Sequence, residues 1–315
     1  MENQANKETE SAQKPKCPGR MPEKQWAVIT GADGGMGTEI TRAVAQAGYR
    51  VMMLCYTQLK GEQRKSQLAL ATGNPNLEVM QVDLSSMASV MAVADALLQR
   101  KLTIDLLMNN AGRMSTTGRV ITEDGLEQTV AVNYVAPFLL TLKLLPLMHA
   151  GSRIVNMVSC TYAVGRITPE FLTQGRSGRF WRIPVYSNTK RALWYFTCTL
   201  AERIRERGIT VNAADPGIVS TPIIHMDQWF DPLTDCLFRP CIRTPRQGAD
   251  TAIRLLLEER WAGVTGQLFA SGKRQHVKAK HCPLSEMQRL WNDTCTYLST
   301  LPISEMKAWW KDSSD

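Results

Sequence analysis

Histidine is scarce in this chain, four residues in 315. None of them (His149, His225, His276, His281) stands at metal-ligand spacing from a partner. The eight cysteines, at positions 17, 55, 160, 198, 236, 241, 282 and 295, make no CxxC pair and no compact framework. Neither a metal site nor a disulfide scaffold is indicated, and reduced thiols in an intracellular, cytoplasmic protein are expected. An apolar leader is also lacking. Residues 1–24 are polar and mixed in charge, unlike a signal peptide, and read as a disordered tail. The longest apolar stretch, Ala131 to Met148, is broken by Lys143 and holds Pro137 and Pro146, so it reads as a buried helix rather than a membrane span. The net charge of +8 is spread along the chain, with modest clusters at Arg176–Arg182 and Lys273–Lys280. Nucleic-acid binders concentrate such charge among stacking aromatics. No nucleic-acid partner is expected, whereas an anionic small ligand is compatible with the charge.

What is present is a regular alternation. Apolar runs at Trp26–Thr30, Arg50–Leu54, Leu77–Leu84, Ile104–Met108, Arg153–Val158, Thr210–Ala213 and Gln267–Ala270 read as strands. Between them lie helical patterns at Met36–Ala47, from about Gln58, Met87–Leu98, Glu123–Val135 and onward, Tyr186–Glu206, and Gln247–Glu258. Strands alternating with long helices imply a parallel sheet covered on both faces. With 44% hydrophobic residues, one large core is sufficient for this length. Two stretches break the pattern, Thr161–Pro184 and Ile218–Pro245, and long irregular segments in a compact domain are usually functional or disordered.

The first strand runs into Thr30-Gly31-Ala32-Asp33-Gly34-Gly35-Met36-Gly37 and then a helix. Gly31 permits a sharp turn, Gly35 lets backbone approach a pyrophosphate, and Gly37 allows close helix–strand packing. The helix start, including Met36, offers free N–H groups and the positive end of a dipole to phosphates. The fold expected is therefore α/β, a single doubly wound Rossmann domain with about seven parallel strands and helices on both faces. It spans residues 25–280, and residues 281–315 form a C-terminal helical extension packed on the same domain.

A second pattern concerns proton transfer. Tyr186 and Lys190, in Tyr186-Ser187-Asn188-Thr189-Lys190, lie one helical turn apart on one face. A phenol of pKa near ~10 is a poor base at neutral pH, and a nearby ammonium favours its phenolate, easing proton movement either way.

The TGxxxGxG spacing resembles the fingerprint of short-chain dehydrogenases, and its companions follow in family order. Asp83 matches the aspartate that hydrogen-bonds the adenine amino group. Asn109-Asn110-Ala111-Gly112 matches the NNAG motif beside the cofactor. Asp215-Pro216-Gly217 with Thr221 matches the loop that contacts the nicotinamide side. The resemblance implies a tetrad of Asn133, Ser159, Tyr186 and Lys190. Ser159 would hydrogen-bond the substrate oxygen, and Asn133 would hold a water beside the lysine for proton relay. Tyr186 and Lys190 also count among the implied cofactor contacts. The implied activity is NAD(P)-dependent interconversion of a small-molecule carbonyl and alcohol.

Selectivity between the two dinucleotides is usually decided at the end of the second strand. Cys55 stands where NAD-preferring relatives carry Asp, and Tyr56 where many NADP-preferring relatives carry Arg. A missing carboxylate removes repulsion, and Thr57 and Lys60 are placed to reach a phosphate. The balance tilts toward NADP(H), with NAD(H) the alternative. The similarity extends over roughly Gln25 to Leu298 and is strongest to the retinol dehydrogenase-like branch, through Tyr186 to Arg203 and Leu284–Trp291. Thr189 departs from the usual Ser before the lysine, and residues 1–24 lack that branch's membrane anchor. Ile223, Ile224, Trp229, Phe230, Leu233, Leu237 and Phe238 suggest a lipophilic substrate. Two other readings use the same fold, a non-catalytic NAD(P)-sensing regulator and a basic interaction protein. A homodimer, common in the family through two long helices, is open.

Overall fold

Trp26-Ala27-Val28-Ile29-Thr30 is buried at every position, as a parallel strand covered on both sides must be. A computed structural model describes residues 26–116, 118–173, 180–219 and 243–302. The tail at 1–24, the implied contact Thr221 and the apolar positions 223–238 lie outside the described residues. Within them, β1 (Trp26–Thr30), β2 (Arg50–Cys55), β3 (Leu77–Gln81), β4 (Ile104–Asn109), β5 (Met148–Met157), β6 (Thr210–Asp215), β7 (Leu268–Ala270) and β8 (Lys273–Arg274) form one sheet. Its order is β3-β2-β1-β4-β5-β6-β7-β8. The first seven strands are parallel, and β8 pairs antiparallel with β7. The expected seven-stranded parallel sheet thus carries a two-residue eighth strand at its edge, too short to show as a pattern in sequence.

The helices are α1 (Gly35–Gln46), α2 (Gln58–Thr72), α3 (Met87–Gln99), α4 (Gln128–Val130), α5 (Ala136–Leu144), α6 (Arg182–Arg203), α7 (Pro245–Leu257) and α8 (Leu284–Thr300). Side chains alternate across the sheet with period two. Val28, Met52 and Leu54 enter the core on the face of α3, α5, α6 and α8. Ala27, Ile29, Val51 and Met53 enter the core beneath α1 and α7.

Two helix starts differ from the sequence reading. The helix placed at Glu123 begins at Gln128, because Gly125 takes φ +77 and turns the chain so that Ile121 bridges Glu127. The Glu127 carboxylate then caps the new start, accepting from the N–H groups of Thr129 and Val130 at 2.7 and 3.1 Å. Helix α6 begins at Arg182 rather than Tyr186, since Pro184 falls in the first turn, where its missing N–H costs nothing. Tyr186 therefore stands in the second turn, on established helix.

Between α4 and α5 the helix widens into a π-turn at Ala131–Val135. The continuous run Gln128–Leu147 is long and apolar enough to cross a membrane by length and composition, with mean hydropathy 1.6, but 78% of it is buried inside the protein. Lys143 within it pairs with Asp95 at 2.9 Å. Across the back of α5 and α6 lies α8, with Trp291 against Phe138 and Phe196 at ring separations of 4.9 and 6.1 Å.

Candidate active site

Strand order reverses between β1 and β4, and an open crevice lies over the carboxyl ends of β1 to β4, the place where such sheets bind ligands. Gly31, Asp33, Leu54, Tyr56, Asp83, Ala111 and Gly112 line it. The turn after β1 is made by glycine for definable reasons. Gly31 has φ +60, and a Cβ on Gly37 would lie 2.0 Å from the Gly31 carbonyl oxygen. Asn110 locks this turn: its amide donates to the carbonyls of Thr30 and Gly31 at 3.0 and 3.2 Å, while the N–H groups of Asn110 and Ala111 both reach Thr30 Oγ1 at 3.0 Å. Helix α1 starts at Gly35 with no side-chain cap, so its first N–H groups have no partner within the helix. Gly35 is exposed, and a Cβ there would meet only Pro245 at 3.4 Å. Its smallness thus serves the open side of the turn.

The predicted adenosine contacts Tyr56 and Asp83 share this crevice. Tyr56 is largely exposed, and Thr57 is the residue before α2. Asp83 lies two residues beyond β3 rather than at its end, and its Oδ1 accepts from the N–H and hydroxyl of Ser85 at 2.8 and 2.6 Å. These residues fit a dinucleotide: glycine backbone and an uncapped helix start for the phosphates, then an open wall for the adenosine half.

At the other end of the crevice the structure brings the four tetrad positions together. Ser159 follows β5, and its side chain lies beside the Tyr186 hydroxyl. Burial pushes the Tyr186 phenol up to about 12, partly offset by the neighbouring Ser159 hydroxyl and reinforced by the charge of Asp215. Lys190 is 2% exposed. Its ammonium donates to the Met157 carbonyl at 2.8 Å and lies 5.5 Å from the centre of the Tyr186 ring. Burial lowers it to about 8, against the opposing pull of Asp215. A Cβ on Gly112 would sit 3.5 Å from Lys190 Nζ and 3.7 Å from Asn133 Oδ1, so the NNAG glycine leaves room between them.

Asn133 lies in the π-turn, fully buried. Its Oδ1 accepts from the Arg113 N–H at 2.7 Å, and its Nδ2 donates to the Arg113 carbonyl at 2.8 Å and to Thr189 Oγ1 at 3.1 Å. Thr189 in turn donates to the Tyr186 carbonyl at 2.7 Å. In the sequence Thr189 is only a departure from Ser; in the structure its hydroxyl joins Asn133 to the helix that carries Tyr186 and Lys190. Arg113 and Met157 were missed because they act through backbone atoms, which no side-chain motif displays.

Gly217, with φ +74, and Pro216 close the site beyond β6. The Gly217 N–H donates to Asp215 Oδ1 at 2.9 Å, and Arg243 donates to the Pro216 carbonyl at 3.1 Å. Asp215 also accepts from the Cys160 N–H, and burial raises its pKa. Among the described residues no cluster of His, Cys, Asp and Glu could hold a metal.

A doubly wound sheet with a glycine turn at one end of its crevice and a Ser–Tyr–Lys–Asn cluster at the other defines an NAD(P)-dependent oxidoreductase of alcohols and carbonyls. The short chain dehydrogenase profile matches residues 25–228, and the chain belongs to that family. It is 34% identical to human retinol dehydrogenase 12 over 273 residues, 86% of this chain and 85% of that one. It is likewise 34% identical to human dehydrogenase/reductase SDR family member 13, over 84% of this chain and 71% of that one. Among solved structures, an uncharacterised protein from Mycobacterium Paratuberculosis aligns with TM-score 0.70 at 26% identity, covering 87% of this chain and 93% of that one. A variant of actinorhodin polyketide ketoreductase with NADPH aligns with TM-score 0.61 at 25% identity, over 78% and 95%.

Proposed function

We propose that the protein interconverts a lipophilic carbonyl and its alcohol, with Tyr186 giving and taking the proton at the substrate oxygen. One observation carries this reading. The Tyr186 hydroxyl lies beside Ser159 in the same site as a buried ammonium, that of Lys190, 5.5 Å from its ring. A bound nicotinamide would supply or accept the hydride. In the reducing direction Tyr186, a neutral phenol at pH 7, donates its proton to the developing alkoxide. Ser159 hydrogen-bonds that oxygen and holds it against Tyr186. Lys190 stabilises the resulting phenolate electrostatically and favours its reprotonation. Asn133 fixes the spacing between the Arg113 backbone and the catalytic helix.

A lipophilic substrate is supported by four exposed apolar residues on the segments that flank the site. Val164 follows the Ser159 turn, Trp181 and Ile183 precede Tyr186, and Ile218 follows Gly217. Similarity to retinol dehydrogenases points the same way. The test is a panel of apolar aldehydes, ketones and alcohols followed by nicotinamide absorbance, with Tyr186→Phe as the control. Turnover by the wild type that Tyr186→Phe loses is expected; a fully active Tyr186→Phe protein would overturn the assignment.

A further inference from the structure

The sequence leaves the end of β2 without a carboxylate, and the structure fills that place from another loop. Strands β1 and β2 are parallel neighbours with Thr30 opposite Leu54, and the Gly31 N–H donates to the Leu54 carbonyl at 2.8 Å. Asp33, three residues past the end of β1, is thereby carried across to Cys55, the last residue of β2. The Asp33 carboxylate lies beside the Cys55 thiol, and burial together with that charge pushes the thiol up to about 12. Cys55 is therefore a neutral thiol that adds no charge beside Asp33. Lys60, in the first turn of α2, reaches Asp33 Oδ2 at 3.4 Å. Asp33 is 9% exposed and lines the crevice with Leu54, Tyr56 and Asp83.

We propose that Asp33, acting from the glycine turn, is the residue that reads the adenosine ribose and selects NAD(H) over NADP(H). This inference rests on the oxidoreductase reading above and reverses the tilt toward NADP(H) that positions 55 and 56 gave. In dinucleotide folds a carboxylate at the end of the second strand accepts from the ribose 2′-hydroxyl. Asp33 brings the same group to the same strand end. A 2′-phosphate, carrying a charge between about −1.5 and −2, would meet it as a like charge in a partly desolvated place. The cation nearby does not reverse this. Lys60 is 60% exposed, so water screens it more than the nearly buried carboxylate. To bind a phosphate it would have to leave Asp33 and expose that charge to the phosphate. Tyr56, largely exposed on the crevice wall, adds no charge.

The test is calorimetric titration of the full chain with NAD⁺ and with NADP⁺, without any substrate. NAD⁺ is expected to bind at least about tenfold more tightly, roughly what one charge-assisted hydrogen bond contributes. Asp33→Asn and Asp33→Ser should each shrink that ratio by about tenfold, weakening NAD⁺ and tightening NADP⁺. Lys60→Gln should widen it. Tighter NADP⁺ binding by the wild type would overturn the proposal. So would a ratio unmoved in either Asp33 variant that keeps the wild-type melting temperature. Failure of both dinucleotides to bind would instead remove the oxidoreductase reading itself.

Discussion

The two ends of the crevice are built by different means. The glycine turn is shaped by backbone, with a positive φ at Gly31 and a Gly37 that touches the Gly31 carbonyl, and is tied to the end of β4 by the Asn110 side-chain amide and by the Ala111 N–H on the Thr30 hydroxyl. The reacting end is made of side chains from a π-turn, a strand end and a helix, joined by bonds between residues far apart in sequence. Asn133 and Thr189 are 56 residues apart, and Lys190 and Met157 are 33. The first construction couples ligand binding to the integrity of the fold. The second places the proposed proton-transfer group on a scaffold that does not depend on it.

The comparison can be broken most forcefully at Tyr186. Tyr186→Phe should lower kcat by about 10²- to 10⁴-fold while the melting temperature stays at the wild-type value and the dinucleotide still binds, as thermal scans and calorimetry would show. At the opposite end, Gly37→Ala forces a 2.0 Å contact with backbone. A loss of about 3 kcal/mol is expected, read as a lower melting temperature together with weakened binding of both dinucleotides. A normal melting temperature would contradict the backbone-built turn.

Lys190→Met sharpens the contrast, because function there opposes stability. Burial lowers the lysine from 10.5 to about 8, so between those values the unfolded chain holds a proton that the folded protein has released. Wild-type stability should therefore gain as pH rises from 8 to 10.5. Lys190→Met should be inactive yet more stable at pH 7, by on the order of 2 kcal/mol. That advantage should close across the same window in denaturant titrations. The smallest effect is expected from Thr189→Val, which deprives the Asn133 amide of one acceptor. It should lower kcat by about tenfold with KM little changed, at a stability cost of ~1 kcal/mol, and Thr189→Ser should restore both.

Legibility in the sequence follows the same division. The glycines of the turn could be read directly, because they lie within eight residues, whereas Asn110 and Ala111, which lock it, stand about 80 residues on. Tyr186 and Lys190 could be read because one helical turn separates them. Asn133 and Ser159 could be matched by family order, but nothing local showed that Arg113 and Thr189 would hold Asn133, or that Met157 would hold Lys190, since those partners meet only once β4, β5, the π-turn and α6 pack. Asp33 was visible as a residue and invisible as a neighbour of Cys55, a relation created by strand pairing. The late start at Gln128 did have a signal, Glu-Asp-Gly at 123–125, which favours a turn over a helix.

The π-turn at Ala131–Val135 gives the helix through it two phases. An α-helix advances about 100° per residue, so one extra residue in a single turn rotates everything before it relative to everything after it. Within the bulge Asn133 is turned inward to Thr189 on α6, and the part behind it beds Phe138 and Leu139 in the apolar core. Deleting any single residue of the five would make the helix regular and force these two halves into one phase. Either the amide would swing out of the tetrad, or the aromatic anchor would lose its seat.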